Sequence, residues 1–121
     1  LKNSMNHYKK ACEYAENLKS DETIHIYNNL SLVSYKLDDF NLSGHYAQLA
    51  YKIDNNNVKS LFRLAHVHFK LENYDISTKI CNQLLEIDSN NISIKKLLYE
   101  NKKNKKIEKN KIKNMCQKMF S

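Results

Sequence analysis

The sequence predicts an all-α fold, a solenoid of helix-turn-helix repeats closed by a long C-terminal helix, and three observations carry that expectation. The chain repeats itself at an offset of 34 residues: Leu30 falls on Leu64, Tyr35 on Phe69, Lys36-Leu37 on Lys70-Leu71, Phe40 on Tyr74, Ser43 on Ser77, Ile53-Asp54 on Ile87-Asp88 and Asn56-Asn57 on Asn90-Asn91. A fixed period of this length marks one supersecondary unit that buries its apolar face against neighbouring copies. Within a unit, apolar residues recur at steps of three and four, the spacing of one helix face. Finally, 121 residues with 41% hydrophobic content, no proline and a single glycine suffice for one helical domain and hold little of the turn chemistry that strands need.

The elements follow in order. Tyr8 to Tyr14 reads as the second helix of an incomplete first repeat spanning residues 1–23, whose first helix has no sequence to come from. A half-repeat leaves its neighbour partly uncovered, so the chain is expected to be a piece of a longer protein, and pairing of two copies through the exposed half-repeat stays open. Residues 24–57 form the second repeat and 58–91 the third, about two and a half repeats in all. In the third, Leu61, Leu64, Ala65 and His68 mark the first helix, and Ile76, Ile80, Leu84 and Ile87 mark the second after a turn at Glu72-Asn73. Asp38-Asp39 punctuates the corresponding turn of the second repeat. Small residues stand where helices are expected to cross closely, Ser31 and Ala65 in one repeat slot and Ser43 and Ser77 in another. Residues 92–121 make the final helix, with Ile94, Leu97 and Leu98 available to cap the last repeat. Gly44 falls inside a helix, where it costs up to about 1 kcal/mol relative to alanine.

Charge is segregated along this plan. Residues 1–94 carry ten Lys and Arg against eleven Asp and Glu, whereas residues 95–121 carry ten Lys against two Glu, so the net charge of +7 resides in the tail. No apolar run approaches the roughly 18 to 20 residues of a membrane span, and no signal-peptide pattern opens the chain. Cys12, Cys81 and Cys116 are odd in number and widely spaced within helical patterns, which points to free thiols in a reducing compartment, the cytosol or the nucleus. Nothing resembles a catalytic, metal or cofactor motif: His66 and His68, two apart, face different sides of a helix and cannot chelate one metal as an i,i+4 pair would. His68 is expected in the core.

In a two-helix solenoid the first helix of each unit lines the concave face. Asn29 and Arg63 occupy the same slot of consecutive repeats, and Lys59 sits one turn before Arg63, so the three residues are expected to converge on one groove that Lys36, Phe62 and His66 also line. Two cations at i,i+4 repel, which suggests an anion supplied from outside; an extended peptide ending in carboxylates meets that need through charge-assisted bonds. Lysine outnumbers arginine 19 to 1, and the single arginine falls in the groove slot, where a planar, bidentate donor has a use that lysine cannot meet. The competing reading of Lys59 is a solvated face, the normal state of an exposed lysine.

A 34-residue helix-turn-helix period resembles the tetratricopeptide repeat. More narrowly, Asn29-Leu30-Ser31, Lys36-Leu37, Phe40 and Lys59-Ser60-Leu61-Phe62-Arg63 resemble the second and third repeats of the carboxylate-clamp tetratricopeptide domains of co-chaperones. That resemblance implies that Asn29, Lys59 and Arg63 hold the C-terminal Glu-Glu-Val-Asp carboxylates of heat-shock protein 90 or its seventy-kilodalton cousin. In the tail, Lys111-Ile112-Lys113-Asn114-Met115-Cys116 resembles the end of the large immunophilins, with Ile112 for Tyr and Cys116 for Phe. It implies a prolyl isomerase domain of the FK506-binding type ahead of the repeats, and therefore no catalysis within these residues.

Ile112, Met115, Cys116, Met119 and Phe120 recur at i, i+3, i+4, i+7 and i+8, an apolar stripe in a lysine-rich helix. Such a sequence suits calmodulin, a reading that the immunophilin resemblance also allows. It equally suits an anionic membrane surface, and nucleic acid less well, because the tail has no arginine and only Tyr99 and Phe120 for stacking. Alternatively the lysines solubilise a capping helix whose stripe packs on the repeats or on another copy.

Overall fold

The computed structural model describes residues 20–120, which contain five α-helices and no strand. We number them α1 (residues 20–36), α2 (Phe40–Ile53), α3 (Val58–Lys70), α4 (Tyr74–Ile87) and α5 (Ile92–Phe120). The helix expected around Tyr8–Tyr14, Cys12, and the side chain of Phe120 lie outside the described residues.

The 34-residue period reappears in the backbone. At the end of α1 the amides of Asp38 and Asp39 donate to the carbonyls of Tyr35 and Ser34, and at the end of α3 those of Glu72 and Asn73 donate to Phe69 and His68. This 5→2 and 6→1 pair is a Schellman cap, which needs a left-handed residue between helix and turn. Asp38 (φ 61°) and Glu72 (φ 65°) fill that role, neither of them glycine. The connections between units match as well. Asn57 and Asn91 each turn a side-chain oxygen back onto the amide three residues later, at Ser60 (3.0 Å) and Ile94 (3.2 Å), so each caps the helix that follows.

Contacts fall into two compact units that meet within α3, one ending at Ser60 and one beginning at Leu61. In the first, α1 and α2 run antiparallel with Ser31 and Ser43 fully buried at their crossing. Each serine hydroxyl donates to the other's carbonyl, Ser31 Oγ to Ser43 O at 2.8 Å and Ser43 Oγ to Ser31 O at 2.7 Å. Only small side chains permit so close an approach, and because the site is dry the hydroxyls must bond within the protein. Ala47 and Ala50 continue the buried face of α2, Tyr27 stacks on Tyr46, and Tyr35 meets Phe40 edge-on across the turn.

The second unit repeats this crossing with one change. Ala65 replaces the first serine, and Ser77 Oγ donates to its carbonyl at 2.7 Å. Phe69 and Tyr74 form the edge-on pair over the turn. The inward face of α4 is Ser77, Cys81 and Leu84, whereas Ile76 and Ile87, expected inside, are exposed. The crossing decides this: the position under Ala65 must be small, which rolls Ser77 inward and its larger neighbour Ile76 out. Burial raises the Cys81 thiol above its ordinary range, so this cysteine is inert packing. His68 is half-buried at the helix end, within 3.3 Å of Asn73 across the turn, and Val67 takes the core place expected of it.

Helix α5 runs antiparallel to α4. Ile94 and Leu97 are buried, and Asn101, also buried, donates to Ser77 Oγ at 2.9 Å, so Ser77 links three helices of the unit. Further out, Lys105 pairs with Asp75 near the start of α4. Ile112, Met115, Cys116 and Met119 are exposed, so the alternative in which this stripe packs back on the repeats of its own chain is not what the structure shows. No helix among the described residues is long and apolar enough to cross a membrane.

Candidate functional site

Helix α1 presents Asn29 and Lys36 to solvent, seven residues apart and hence on one side of the helix. Lys59 is exposed in the first turn of α3 and forms no ion pair among the described residues. It borders a recess of about 290 Å³ lined by Asp21, Ile24, His25, Asn28, Asp54, Asn57 and Val58. A hydrogen-bonded cluster builds the floor of this region. Asn28 Nδ2 donates to Asn57 Oδ1 at 3.3 Å, and Ser60 Oγ lies 3.0 Å from both Asn28 Oδ1 and Asn57 Oδ1. Ser60 is fully buried, so the cluster ties α1 to the N-terminal turn of α3 and fixes where Lys59 leaves the helix. Sequence reasoning missed Asn28 and Ser60. The available signal was the recurrence of Asn57 at Asn91, which marks a cap and not a binding residue.

In the second unit Arg63, Phe62 and His66 are all half-buried on α3. The Phe62 and His66 rings lie 4.5 Å apart, tilted by 59°. Burial lowers the His66 pKa below its ordinary value, and the positive charges of Arg63 and Lys70 lower it further. The imidazole therefore stays neutral beside the guanidinium at neutral pH. No group of three or more His, Cys, Asp and Glu side chains that could hold a metal occurs among the described residues.

Of the residues singled out in sequence, Asn29, Lys36 and Lys59 thus lie in the first unit, and Phe62, Arg63 and His66 in the second. Ile112, Met115, Cys116 and Met119 stand exposed on α5.

Comparison with known proteins bears on the fold. Residues 58–91 match the family model described as tetratricopeptide repeat. A solved structure described as the first TPR of Spaghetti (RPAP3) bound to the HSP90 peptide SRMEEVD is similar at a TM-score of 0.62 and 20% sequence identity, over 79% of this chain and 87% of that one. No curated protein matches the chain. The fold is therefore that of helix-turn-helix tetratricopeptide repeats followed by a long C-terminal helix.

Proposed function

We propose that this chain is a peptide-binding module that takes the acidic C-terminal tail of a heat-shock chaperone. In this reading Asn29, Lys59 and Arg63 form the carboxylate clamp, and Lys36, Phe62 and His66 line the groove. The observation that carries it is register: Asn29 and Arg63 stand 34 residues apart in the same slot of consecutive repeats, in a fold whose solved relative holds an HSP90 peptide ending in Glu-Val-Asp. The chemistry agrees. Lysine and arginine make short charge-assisted bonds to carboxylates, the arginine bidentately, and the Asn29 amide supplies a neutral donor. Asn29 and Lys59 are exposed, so an incoming anion can reach them.

Calorimetric titration with a Glu-Glu-Val-Asp peptide tests the proposal. Lys59→Ala and Arg63→Ala should each cost roughly 1.5 to 3 kcal/mol of binding, and added salt should weaken the interaction further. Equal affinity for the C-terminally amidated peptide would remove the carboxylate role. The immunophilin setting belongs to the same reading and rests on the segment from Lys111 to Cys116. It requires the intact protein to isomerise prolyl bonds in an FK506-sensitive manner. Absence of that activity would remove the setting and leave the peptide module standing.

A further inference from the structure

Helix α5 carries one continuous seam, of which α4 covers only half. Steps of three and four lead from Ile94 through Leu97, Asn101, Lys105, Glu108, Ile112 and Met115 to Met119. Along the first half the seam is packed: Ile94, Leu97 and Asn101 are buried, and Asn101 bonds to Ser77 of α4. Lys105 then pairs with Asp75, at the second residue of α4, and there α4 runs out. The seam continues. Past this point lies a groove of about 490 Å³ between the start of α4 and α5, with Ile76 and Tyr74 on one wall and Ile112 on the other. Beyond it Met115 and Met119 extend the apolar track. Ile76 is 46% exposed, Ile112 56%, Met115 64% and Met119 77%.

From this geometry we propose that the distal half of α5, together with the groove at Ile76, is a docking site for an acidic amphipathic helix of a partner protein. That helix lies along the seam as a continuation of α4, with its apolar ridge on Ile76, Ile112, Met115 and Met119 and its carboxylates against the flanking lysines. Three observations select this occupant. The seam already accepts a helix over its first half, and its spacing does not change where α4 ends. The mode of pairing is displayed once within the unit, where a carboxylate of the covering helix, Asp75, meets a seam lysine, Lys105. Residues 102–119 contain eight lysines against one glutamate, so two copies of α5 would repel each other and an acidic partner is favoured.

The test is fluorescence anisotropy of the intact chain with a designed helix of about 20 residues, leucine at the three-four spacing and glutamate on the flanks. Saturable binding is expected, weakened about tenfold or more by Ile112→Asn and by Ile76→Asn. Both side chains are exposed, and circular dichroism confirms that each variant keeps its helices. Reversal of charge, as in Lys109→Glu with Lys113→Glu, should weaken the same complex. Equal binding of a scrambled peptide of the same composition overturns the proposal, since it reduces the effect to charge. So does binding to phosphatidylserine vesicles, or calcium-dependent capture by calmodulin, without retention of the designed helix. Sedimentation as a dimer that Ile112→Asn dissociates also overturns it, by making a second copy the cover of the seam.

Discussion

At the scale of single residues, the two left-handed turn positions stand out because the chain spends no glycine on them. A left-handed conformation costs a non-glycine residue roughly 1 kcal/mol, less for aspartate, whose short side chain tolerates it. Asp38 is therefore the better adapted of the pair, and Glu72 carries the larger penalty. Glu72→Gly is expected to stabilise the protein by up to about 1 kcal/mol, read as a higher midpoint in thermal denaturation. Asp38→Gly should gain less. A second residue-scale effect lies in His66, whose folded-state pKa is held below its ordinary value of 6.5 by burial and then by Arg63 and Lys70. The unfolded chain takes up the proton first as pH falls. The stability that neutral His66 contributes is thus fully present above pH 6.5 and is lost as pH drops through the folded-state pKa. His68, lowered by burial alone, acts in the same direction. Urea unfolding followed between about pH 7.5 and 5.5 should show a falling midpoint, and His66→Phe should flatten part of that slope.

At the scale of elements, the crossings within each helix pair set the fold, and they rest on hydroxyl groups. Ser31 and Ser43 exchange hydrogen bonds in a fully buried contact, while the equivalent pair in the next unit manages with Ala65 and Ser77. That natural comparison sets the expected magnitudes. Ser31→Ala should cost about 1 kcal/mol, because it loses one hydrogen bond at a position where alanine demonstrably fits. Ser43→Leu should cost about 3 kcal/mol or more, because the helices would have to separate. Equilibrium unfolding in urea measures both. Much of this level was legible beforehand: the 34-residue offset located both turns and the small residues of the crossings, since each is a local requirement on a residue type. The rotation of α4 was not. Ile76, Ile80, Leu84 and Ile87 keep a helical spacing as good as that of Ser77, Cys81 and Leu84, and periodicity counts apolar letters without knowing that a crossing demands a small one. Asn101 was invisible for the same reason. It reads as one polar residue in a polar tail until Ser77 is seen beneath it, and its Oδ1 is buried without a hydrogen-bonding partner among the described residues.

At the scale of the whole molecule, the residues proposed for the clamp were selected in sequence because repeats map equivalent slots onto a fixed offset. The cluster of Asn28, Asn57 and Ser60 was not found, because its bonds join positions about 30 apart that do not share a slot. The division of charge was also plain in the sequence: the lysines begin at Lys95, near the start of α5, and continue past Lys105, where α5 outruns α4. One result is a single helix that lives under two regimes. Before Lys105 it can open only if the seam of Ile94, Leu97 and Asn101 is torn from α4. Beyond it, the turns rest on their own intrahelical bonds, and pairs such as Lys105 with Lys109 or Lys109 with Lys113 repel at i,i+4 by a few tenths of a kcal/mol each. A stretch of about 15 unsupported residues is marginal as an isolated helix, so its local opening free energy falls toward zero while that of the near half follows global unfolding. Fraying and re-zipping on a sub-microsecond scale would then leave the far end an ensemble, and whatever settles there must supply the entropy of ordering it.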